Sequence, residues 1–579
     1  MSFPEIENVR PTPVGSRAAV LGIVAVLPLV CIATVSAQAQ QVAPSRVTPE
    51  SLRPAAPAPP IIELPGAAGP TAPANAANLS VQVGDIVVDG TFPEFRAETA
   101  ALLDPLRRKR LTVAQIYAAA TALEHAYAAA GFILARVVVP RQKLVDGGAL
   151  HLTVIDGFIE RIDVNAVPAH VRASVAARMA ALVGVRHVTL ADIERRLLVT
   201  ADLPGLQLRS TIAAGATPGG TLLVLDATQN YVSGSVGVDD RLPRSLGIWS
   251  FNSTLALNNT LGFGEQFYVS GSTSTDFGNP PLQVFGGGIV MPIGNDGFTL
   301  NPEYTRSLAE PFPAPGTPPG VGEFQRAALH ANYSIIHTRA QTLSVQATLE
   351  WDDEFLRPVG FAQQIYRDTY TTARLQATDA FSLPWGEPVS LSGTFSQGLT
   401  GRDATAVLPL SQQGASPLFS KANLQASISQ GLPTGAIITL IGRAQSSFGQ
   451  PLMLAEQFSL DGSDAMSAFA SGTFSVDQGA TLRAELSRPV WIEIPAPESP
   501  LRLSPYLFGA AGLGVIFLPT AVEQKDINAA SAGLGVRTDI GNPQSPVGGA
   551  VALELARQFS DVPADNHGYR INLSLNLRF

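Results

Sequence analysis

The stretch YRINLSLNLRF, Tyr569 to Phe579, decides the fold class of this chain. Its odd-numbered residues are aromatic or aliphatic, and its even-numbered residues are Arg, Asn or Ser. Because successive side chains of a strand point to opposite faces, this strand has one apolar face and one polar face. Its length matches the roughly 9–11 residues with which a tilted strand crosses an outer membrane. The stretch predicts a strand of a membrane β-barrel, with a soluble β-sandwich as the alternative at this point.

The same alternation recurs from residue 231 onward, and about sixteen such segments can be counted; one is LSVQATLE at 343–350. Short connections, such as 294–297 and 431–435, alternate with long ones. The long connections cover 307–325, 353–367, 400–417 and 447–477. Short periplasmic turns alternating with longer extracellular loops are typical of outer-membrane barrels, whereas a sandwich has no reason to follow this rule. The connection lengths therefore favour an antiparallel barrel of about sixteen strands.

The N-terminus predicts an exported protein. Arg10 and Arg17 precede an apolar run from Ala18 to Val35, and Ala37-Gln38-Ala39 supplies small residues for cleavage before Gln40. This is the pattern of a secretory signal peptide. The single cysteine of the chain, Cys31, lies inside that run, so the mature chain is expected to contain neither a disulfide nor a thiolate metal site.

The segment between the signal peptide and the barrel divides into a linker and two modules. Residues 40–78 are rich in Pro and Ala, and such a stretch is expected to be an extended, semi-rigid linker. From Leu79 a strand, helices and two strands follow, with Thr112 and Gln115 forming a capping-box signal, and the plan then repeats with Thr189 as a helix cap. We predict two small α+β modules in tandem. The predicted domains are 1–39 (signal peptide), 40–78 (linker), 79–156 and 157–229 (modules) and 230–579 (barrel).

No constellation of residues indicates an enzyme, a cofactor or a metal site. His330 and His337 lack a metal-ligand spacing and are interpreted as lumen-facing or turn residues. Asp352, Asp353 and Glu354 are interpreted as the solvated start of a long loop, with a divalent-cation site as the alternative. The net charge of −9, without a clustered basic surface, argues against nucleic-acid binding.

Three stretches resemble a known family. They are GFILARVVVPRQKLVDGGALHLTVIDGFIERIDV from Gly131, NNTLGFGEQFYVSGS from Asn258, and EQFSLDGSDAMSAF with FSVDQG between Glu456 and Gly479. Together with two modules before an all-β half, they resemble the superfamily of outer-membrane assembly and secretion barrels, in which POTRA domains precede a sixteen-stranded barrel. Within it the chain is most similar to the two-partner secretion transporters of the haemolysin or haemagglutinin activation and secretion type.

The third stretch departs from that family at the tip of loop six, the long loop that the resemblance folds back into the pore. Family members carry Val-Arg-Gly-Tyr where this chain has Met466, Ser467, Ala468 and Phe469, shortly after Asp464. The resemblance pairs the family arginine with an acidic wall residue, here Asp477 in the motif that includes Gly479. No Lys or Arg occurs from Ser447 through Leu482, so this loop cannot form that ion pair. We expect a lone carboxylate facing a wet lumen, and a loop that is held less firmly.

The resemblance implies a function. It implies an outer-membrane translocator, with its POTRA modules in the periplasm, that exports a large unfolded partner protein without nucleotide hydrolysis. The implied partners are a client with an N-terminal β-helical secretion domain, outer-membrane lipid and the barrel assembly machinery, whose C-terminal signal would include Tyr569, Leu575, Leu577 and Phe579. The POTRA sheets would capture the client by strand addition. The alternatives are a factor that assembles other outer-membrane proteins, and a diffusion or receptor barrel.

Overall fold

The computed structural model describes residues 43–54, 61–62, 69–313, 318–383, 386–402, 409–492, 501–521, 523–541, 547–562 and 567–579. The predicted signal peptide and its cleavage site lie outside these residues. None of the described helices is both long enough and apolar enough to cross a membrane. The described part preceding the modules contains a 3-10 helix, Pro44–Arg46, and a two-residue strand, β1 (Ile61–Ile62).

The first module wraps two helices over a small sheet. Its elements are β2 (Ser80–Gln82), β3 (Asp85–Asp89), a 3-10 turn (Pro93–Phe95), α1 (Arg96–Leu103), a second 3-10 turn (Asp104–Leu106), β4 (Arg110–Thr112), α2 (Val113–Ala129), β5 (Arg136–Val138) and β6 (Ala149–Ile155). The strands form a sheet of order β3-β6-β5 and a separate β2-β4 pair. The predicted capping box is present, since Thr112 and Gln115 exchange hydrogen bonds at the start of α2. The first 3-10 turn leads directly into helix α1.

The second module repeats this plan. Its elements are β7 (Phe158–Ala166), α3 (Ala169–Met179), a 3-10 turn (Ala180–Leu182), α4 (Leu190–Ala201), β8 (Leu206–Ala214) and β9 (Gly220–Gln229). Thr189 caps α4 as predicted, through a capping box with Asp192. The sheet order is β1-β8-β9-β7, because β1 from the segment preceding the first module pairs in parallel with the edge of β8.

The C-terminal part is a closed antiparallel barrel that has sixteen strands within the described residues, which confirms the predicted fold class. The strands of its first half are β10 (Val232–Asp239), β11 (Ser250–Asn258), β12 (Gln266–Ser274), β13 (Leu282–Ile293), β14 (Phe298–Ala309), β15 (Gly320–His337), β16 (Gln341–Pro358) and β17 (Tyr366–Ser382), with a 3-10 turn (Arg244–Leu246) after β10. The next are β18 (Pro388–Gly401), β19 (Ser420–Gly431) and β20 (Ile437–Ser446), followed by a 3-10 turn (Leu454–Glu456) and the short strands β21 (Phe458–Ser459) and β22 (Ser475–Val476).

The remaining strands complete the cylinder. They are β23 (Gln478–Ser487) with its continuation β24 (Val490–Ile492), β25 (Leu501–Val515), β26 (Asp526–Ile540), β27 (Gly548–Ser560) and β28 (His567–Arg578). Strand β28 pairs with β10 over five residue pairs, against eight between β10 and β11 and twelve between β27 and β28. The apolar face of the C-terminal strand points outward, where Tyr569 is 73% exposed and Phe579 is 47% exposed. An apolar outer face with a polar lumen is the pattern of a membrane barrel.

Helix α4 joins the second module to the short turns at one end of the barrel. The guanidinium of Arg195 donates to the carbonyls of Ser334 (2.8 Å) and Ile335 (3.0 Å) at the end of β15. The carboxylate of Glu194 accepts a 2.6 Å hydrogen bond from Arg339 in the next turn. The second module is therefore held at the mouth of the barrel by charged side chains, which water is able to replace.

Candidate functional site in the barrel lumen

The loop between β20 and β23, residues 447–477, folds back into the barrel. Alternate residues of each strand face the lumen, and the loop contacts these inward residues, including Arg374 of β17 and Lys421 of β19. At its centre, Ser459 pairs with Ser475 in the small β21–β22 ladder. We call residues 447–477 loop six, and the segment Met466–Phe469 its tip.

The tip is bound to an arginine of the wall. Arg483, on the inner face of β23, donates from Nη1 to the Oγ of Ser467 at 2.8 Å and from Nη2 to Oε2 of Glu554 at 2.9 Å. The Oγ of Ser467 donates in turn to Oε1 of Glu554 on β27 at 2.5 Å. The side chain of Arg483 is only 1% exposed. Serine, arginine and glutamate thus form a closed triangle between the loop and two strands.

Further wall residues complete the charge balance of this triangle. Glu554 also accepts a hydrogen bond from Tyr506 at 2.9 Å, and Glu485 lies 3.3 Å from Arg483 and 2.5 Å from Arg537. Two guanidinium groups therefore face two carboxylates. The guanidinium carbon of Arg483 also lies 3.8 Å from the ring centroid of Phe508, a cation–π geometry. Because each buried charge has a partner, loss of one partner leaves an uncompensated buried ion.

The apolar residues of the tip pack against the same wall. Met466, Ala468 and Phe469 are 0–4% exposed, and the rings of Phe469 and Phe474 meet edge to face at 4.8 Å. The carbonyl of Ala468 accepts a hydrogen bond from Gln558 at 2.6 Å. The tip is therefore buried on its apolar side and hydrogen-bonded on its polar side.

The structure does not bring Asp477 to the tip. Its carboxylate accepts hydrogen bonds from the backbone N–H groups of Leu452 (3.0 Å) and Phe517 (2.7 Å) and from the amide of Gln457 (3.1 Å). The expectation of a lone carboxylate in a wet lumen is wrong, because this residue is fully buried and ties together the two ends of loop six. The nearby Gly479 is the second residue of β23, where an added Cβ would lie 2.7 Å from the carbonyl oxygen of Leu513.

Asp464, just before the tip, pairs with the wall at a wetter point. Its carboxylate lies 3.0 Å from Arg443 of β20, and the side chains are 37% and 19% exposed. This ion pair adds a contact between loop six and the strand that precedes it.

A second polar cluster holds the descending part of loop six. Glu456 lies 2.7 Å from Arg374 and 2.8 Å from Lys421, and it accepts a 3.0 Å hydrogen bond from Tyr370. All four side chains lie on the inside of the barrel, and that of Glu456 is 1% exposed. The loop is consequently fixed at two separate levels, by Glu456 and by the tip.

The acidic run 352–354 belongs to this inner wall and not to a loop, which corrects our interpretation. Strand β16 continues to Pro358; Asp352 and Glu354 point inward and are buried, while Asp353 points outward and pairs with Arg367 at 2.8 Å. The strand end was missed because both faces are acidic there, so polarity no longer alternates. His330 also faces inward and contacts Thr348 at 2.9 Å.

Among the described residues, one group of three carboxylates is close enough to share a metal ion: Glu350, Asp352 and Glu456. Three cations already neutralise it, with Arg326 at 3.3 Å from Asp352 and Arg374 at 2.6 Å from Glu350, besides Lys421 on Glu456. A divalent cation would be repelled by these groups, so this donor set does not fit a metal site.

Residues 43–54 also lie in the lumen, which corrects our interpretation of this part of the linker as an extended spacer. Arg46 donates to Gln457 of loop six at 3.1 Å, and the hydroxyl of Ser51 donates to Glu303 at 2.9 Å. Arg326 donates to the carbonyls of Pro49 (3.2 Å) and Glu50 (3.0 Å). We call residues 43–54 the lumenal segment. It touches loop six and the barrel wall through side-chain hydrogen bonds, with Val47 and Leu52 as its apolar contacts.

Sequence reasoning missed Arg483 and Glu554. The family pattern places the cation in the loop, whereas here the first cation after the loop is Arg483 on the wall strand. The available signal was the strand register: Arg483 and Glu485 share a face with Thr481 and Gly479, so all four point into the lumen.

Comparisons with known proteins agree with this architecture. Residues 219–538, more than half of the chain, match the model of the family described as haemolysin secretion/activation protein ShlB/FhaC/HecB, and residues 81–157 match the ShlB-type POTRA domain. Among solved structures, CdiB from Escherichia coli superposes with a TM-score of 0.67 at 22% identity, covering 93% of this chain and 94% of that one. CdiB from Acinetobacter baumannii gives a TM-score of 0.57 at 16% identity, covering 86% and 90%.

Curated relatives match over shorter spans. The outer membrane transporter CdiB of E. coli is 31% identical over 232 residues, which cover 39% of this chain and 38% of that protein. The protein of the same name from Dickeya dadantii is 24% identical over 385 residues, or 63% of this chain and 64% of that one. The barrel lies in the outer membrane and its POTRA modules lie in the periplasm. The chain belongs to the ShlB/FhaC/HecB family of haemolysin secretion/activation proteins, the two-partner secretion transporters of the POTRA-barrel superfamily.

Proposed function

We propose that this chain exports a large unfolded partner protein from the periplasm through its barrel, without nucleotide hydrolysis. One observation carries the proposal: the lumen holds two polypeptide segments, the lumenal segment and loop six, which contact each other through Arg46 and Gln457. The lumen is therefore wide enough for extended chain, and it is closed by parts of the protein itself.

The lumenal segment is the more readily displaced of the two. Loop six has an apolar face packed on the wall around Met466 and Phe474, whereas the lumenal segment is held mainly by hydrogen bonds to Glu303, Arg326 and Glu354. Water in an opened pore can replace such bonds, each of which contributes about 1.5–3 kcal/mol beyond its exchange with water because one partner is charged. Displacement of this segment would open a path for the client, and the filled lumen argues against a diffusion pore.

Client capture is assigned to the second module. Ile61 and Ile62 pair in parallel with Arg209 and Ser210 at the β8 edge, so this edge accepts an added strand. A client in extended conformation would use the same backbone groups. We propose a secreted client with an N-terminal β-helical domain, whose folding outside the cell drives transport. The proposal also includes outer-membrane lipid around the barrel and insertion by the barrel assembly machinery.

The test is release of a candidate client that is co-expressed with this chain. A Ser51→Cys/Glu303→Cys variant, linked by a short bismaleimide, ties the lumenal segment to the wall; their side chains lie 2.9 Å apart in the native protein. Cells that carry the cross-linked variant should retain the client in the periplasm. Each single-cysteine variant, treated with the same reagent, is the control and should release it normally. Release by the unmodified protein that equals release by cells lacking it would overturn the proposal.

A further inference from the structure

One end of the first module carries a dense group of cations. Arg107, Arg108 and Lys109 lie in the turn before β4, Arg110 is the first residue of that strand, and all four are exposed. The turn before β6 lies beside them, because Asp146 pairs with Arg110 at 2.9 Å and the N–H of Gly147 donates to the carbonyl of Gln82 at 2.7 Å. Our expectation that the chain lacks a clustered basic surface is wrong at this end.

The two turns together form one surface, which we call the basic end. It adds the exposed Arg141 and Lys143 to the four-residue run and places two exposed apolar residues beside them, Leu144 (36%) and Val145 (57%). Its carboxylates are Asp85, Asp104 and Asp146. Six cations against three carboxylates leave an excess of three positive charges, in a chain whose overall charge is −9.

Four of these cations have no described carboxylate within ion-pair distance. Arg107 is paired with Asp85 and Asp104, and Arg110 with Asp146. The remaining cations are Arg108, Lys109, Arg141 and Lys143. Arg108 also has a left-handed backbone (φ 56°), a conformation that is costly for a side chain of its size. Strained backbone of this kind is concentrated at functional sites.

The basic end and the contact with the second module lie at opposite ends of strand β6. Strand β6 starts beside it at Ala149 and ends at Ile155; the next residue, Asp156, accepts a 3.1 Å hydrogen bond from His187 of the second module. At about 3.3 Å per residue, the two ends of this strand are separated by roughly 20 Å. The second module docks on the barrel through α4, so the basic end lies at the end of β6 that is farther from this docked module.

We propose that the basic end is the first docking surface for the exported client and binds an extended, acidic segment of it that also carries apolar residues. This inference rests on the proposed function. Opposite charge speeds and orients encounter, while Leu144 and Val145 offer apolar contact beside the charges. A nucleic acid is disfavoured, because the three interspersed carboxylates would repel a continuous array of phosphates.

The test compares two charge reversals of equal size in the full-length protein in detergent. Arg108→Glu/Lys109→Glu alters the basic end, and Arg96→Glu/Arg161→Glu alters two exposed arginines elsewhere on the modules. The probe is a labelled 20-residue peptide in which Asp and Glu alternate with Ser and Val; its counterpart carries Asn and Gln instead. The first variant should bind the acidic peptide at least fivefold more weakly than the native protein, and raised salt should weaken native binding. The second variant should bind like the native protein.

Client release and vesicle binding complete the test. Release of a co-expressed client should slow in the first variant and not in the second. Equal peptide binding in both variants, unchanged release, or binding to phosphatidylglycerol vesicles without binding to the peptide would each overturn the inference. If the native protein releases its client normally, such a result leaves the proposed function intact. If the native protein does not release its client, the proposed function is wrong, whatever the result of the peptide-binding measurement.

Discussion

Arg483 of the barrel wall donates a 2.8 Å hydrogen bond to the hydroxyl of Ser467 at the tip of loop six. From the family resemblance, we expected the arginine of this contact on the loop itself. Here the cation comes from the strand and the loop supplies a small polar group. The loop tip still contacts the wall through a cation, but here the cation belongs to the wall and not to the loop.

Removal of this wall cation should destabilise the barrel. An Arg483→Met substitution leaves Glu554 and Glu485 buried with one cation fewer. The free energy of unfolding should therefore fall by about 3–5 kcal/mol. Thermal unfolding in detergent, followed by the shift between folded and unfolded bands on a gel, measures the effect. Ser467→Ala is the control and should lower the free energy of unfolding less, by about 1.5–3 kcal/mol, since it removes one hydroxyl that is hydrogen-bonded to charged groups and leaves both charges in place. Equal midpoints for the native protein and Arg483→Met would contradict this role.

An exchange of the two residues should recover stability. Ser467→Arg alone places a second guanidinium beside Arg483 in a buried site and should destabilise the protein. The double variant Ser467→Arg/Arg483→Ser keeps one cation beside Glu554 and should be more stable than either single charge change. A double-mutant cycle of unfolding midpoints gives the coupling. Additive single effects would show that Ser467 and Arg483 do not act as a pair.

Glu456 should control how firmly the descending part of loop six is held. Glu456→Gln removes a carboxylate that Arg374 and Lys421 share, and the free energy of unfolding should fall by about 3 kcal/mol. Current through the barrel in planar bilayers should also fluctuate more often. Asp464→Asn, at the half-exposed pair with Arg443, is the matched control and should cost at most about 1 kcal/mol. Identical current records for the two variants would count against a special role of the buried cluster.

The lumenal segment should set the basal conductance. Deletion of residues 43–54 removes a chain that occupies the lumen beside Glu303 and Arg326, and single-channel conductance should rise severalfold. A Glu303→Gln variant, which weakens the attachment of Ser51 and leaves the segment in place, should instead show brief openings to the same high level. Unaltered conductance after the deletion would mean that loop six alone closes the pore.

If the second module has to move away from the barrel during transport, fixing it in its docked position should reduce client release. Arg196 and Asp296 form an ion pair between α4 and a periplasmic turn. An Arg196→Cys/Asp296→Cys disulfide is expected to reduce client release, and reductant is expected to restore it. The mature chain is predicted to contain no other cysteine, so the single variants are clean controls. Full release from the oxidised protein would indicate that this docking stays closed during transport.

Most of the barrel could be predicted from alternation, because a strand with one face in lipid and one in water carries that difference in its sequence. Prediction failed where the difference vanishes. Strands β15, β16 and β17 run further toward their loops than expected, and at Asp352–Glu354 both faces are acidic. The predicted long connection at 353–367 shrinks accordingly to residues 359–365.

The lumenal contacts could not be predicted for a different reason. Arg483, Glu554 and Ser467 are separated by up to 87 residues, and only the closed ladder brings them together. Residues 43–54 have the composition of a linker, yet they are ordered by carboxylates and guanidinium groups of distant strands. Neither relationship leaves a local periodicity in the sequence.

The ladder between β10 and β28 has five residue pairs, fewer than either neighbouring ladder. It joins the two barrel strands that are farthest apart along the chain, so its loop-closure entropy is the greatest. We therefore expect the β10–β28 ladder to form last when the barrel closes, and to be the first ladder of the finished wall to open on heating.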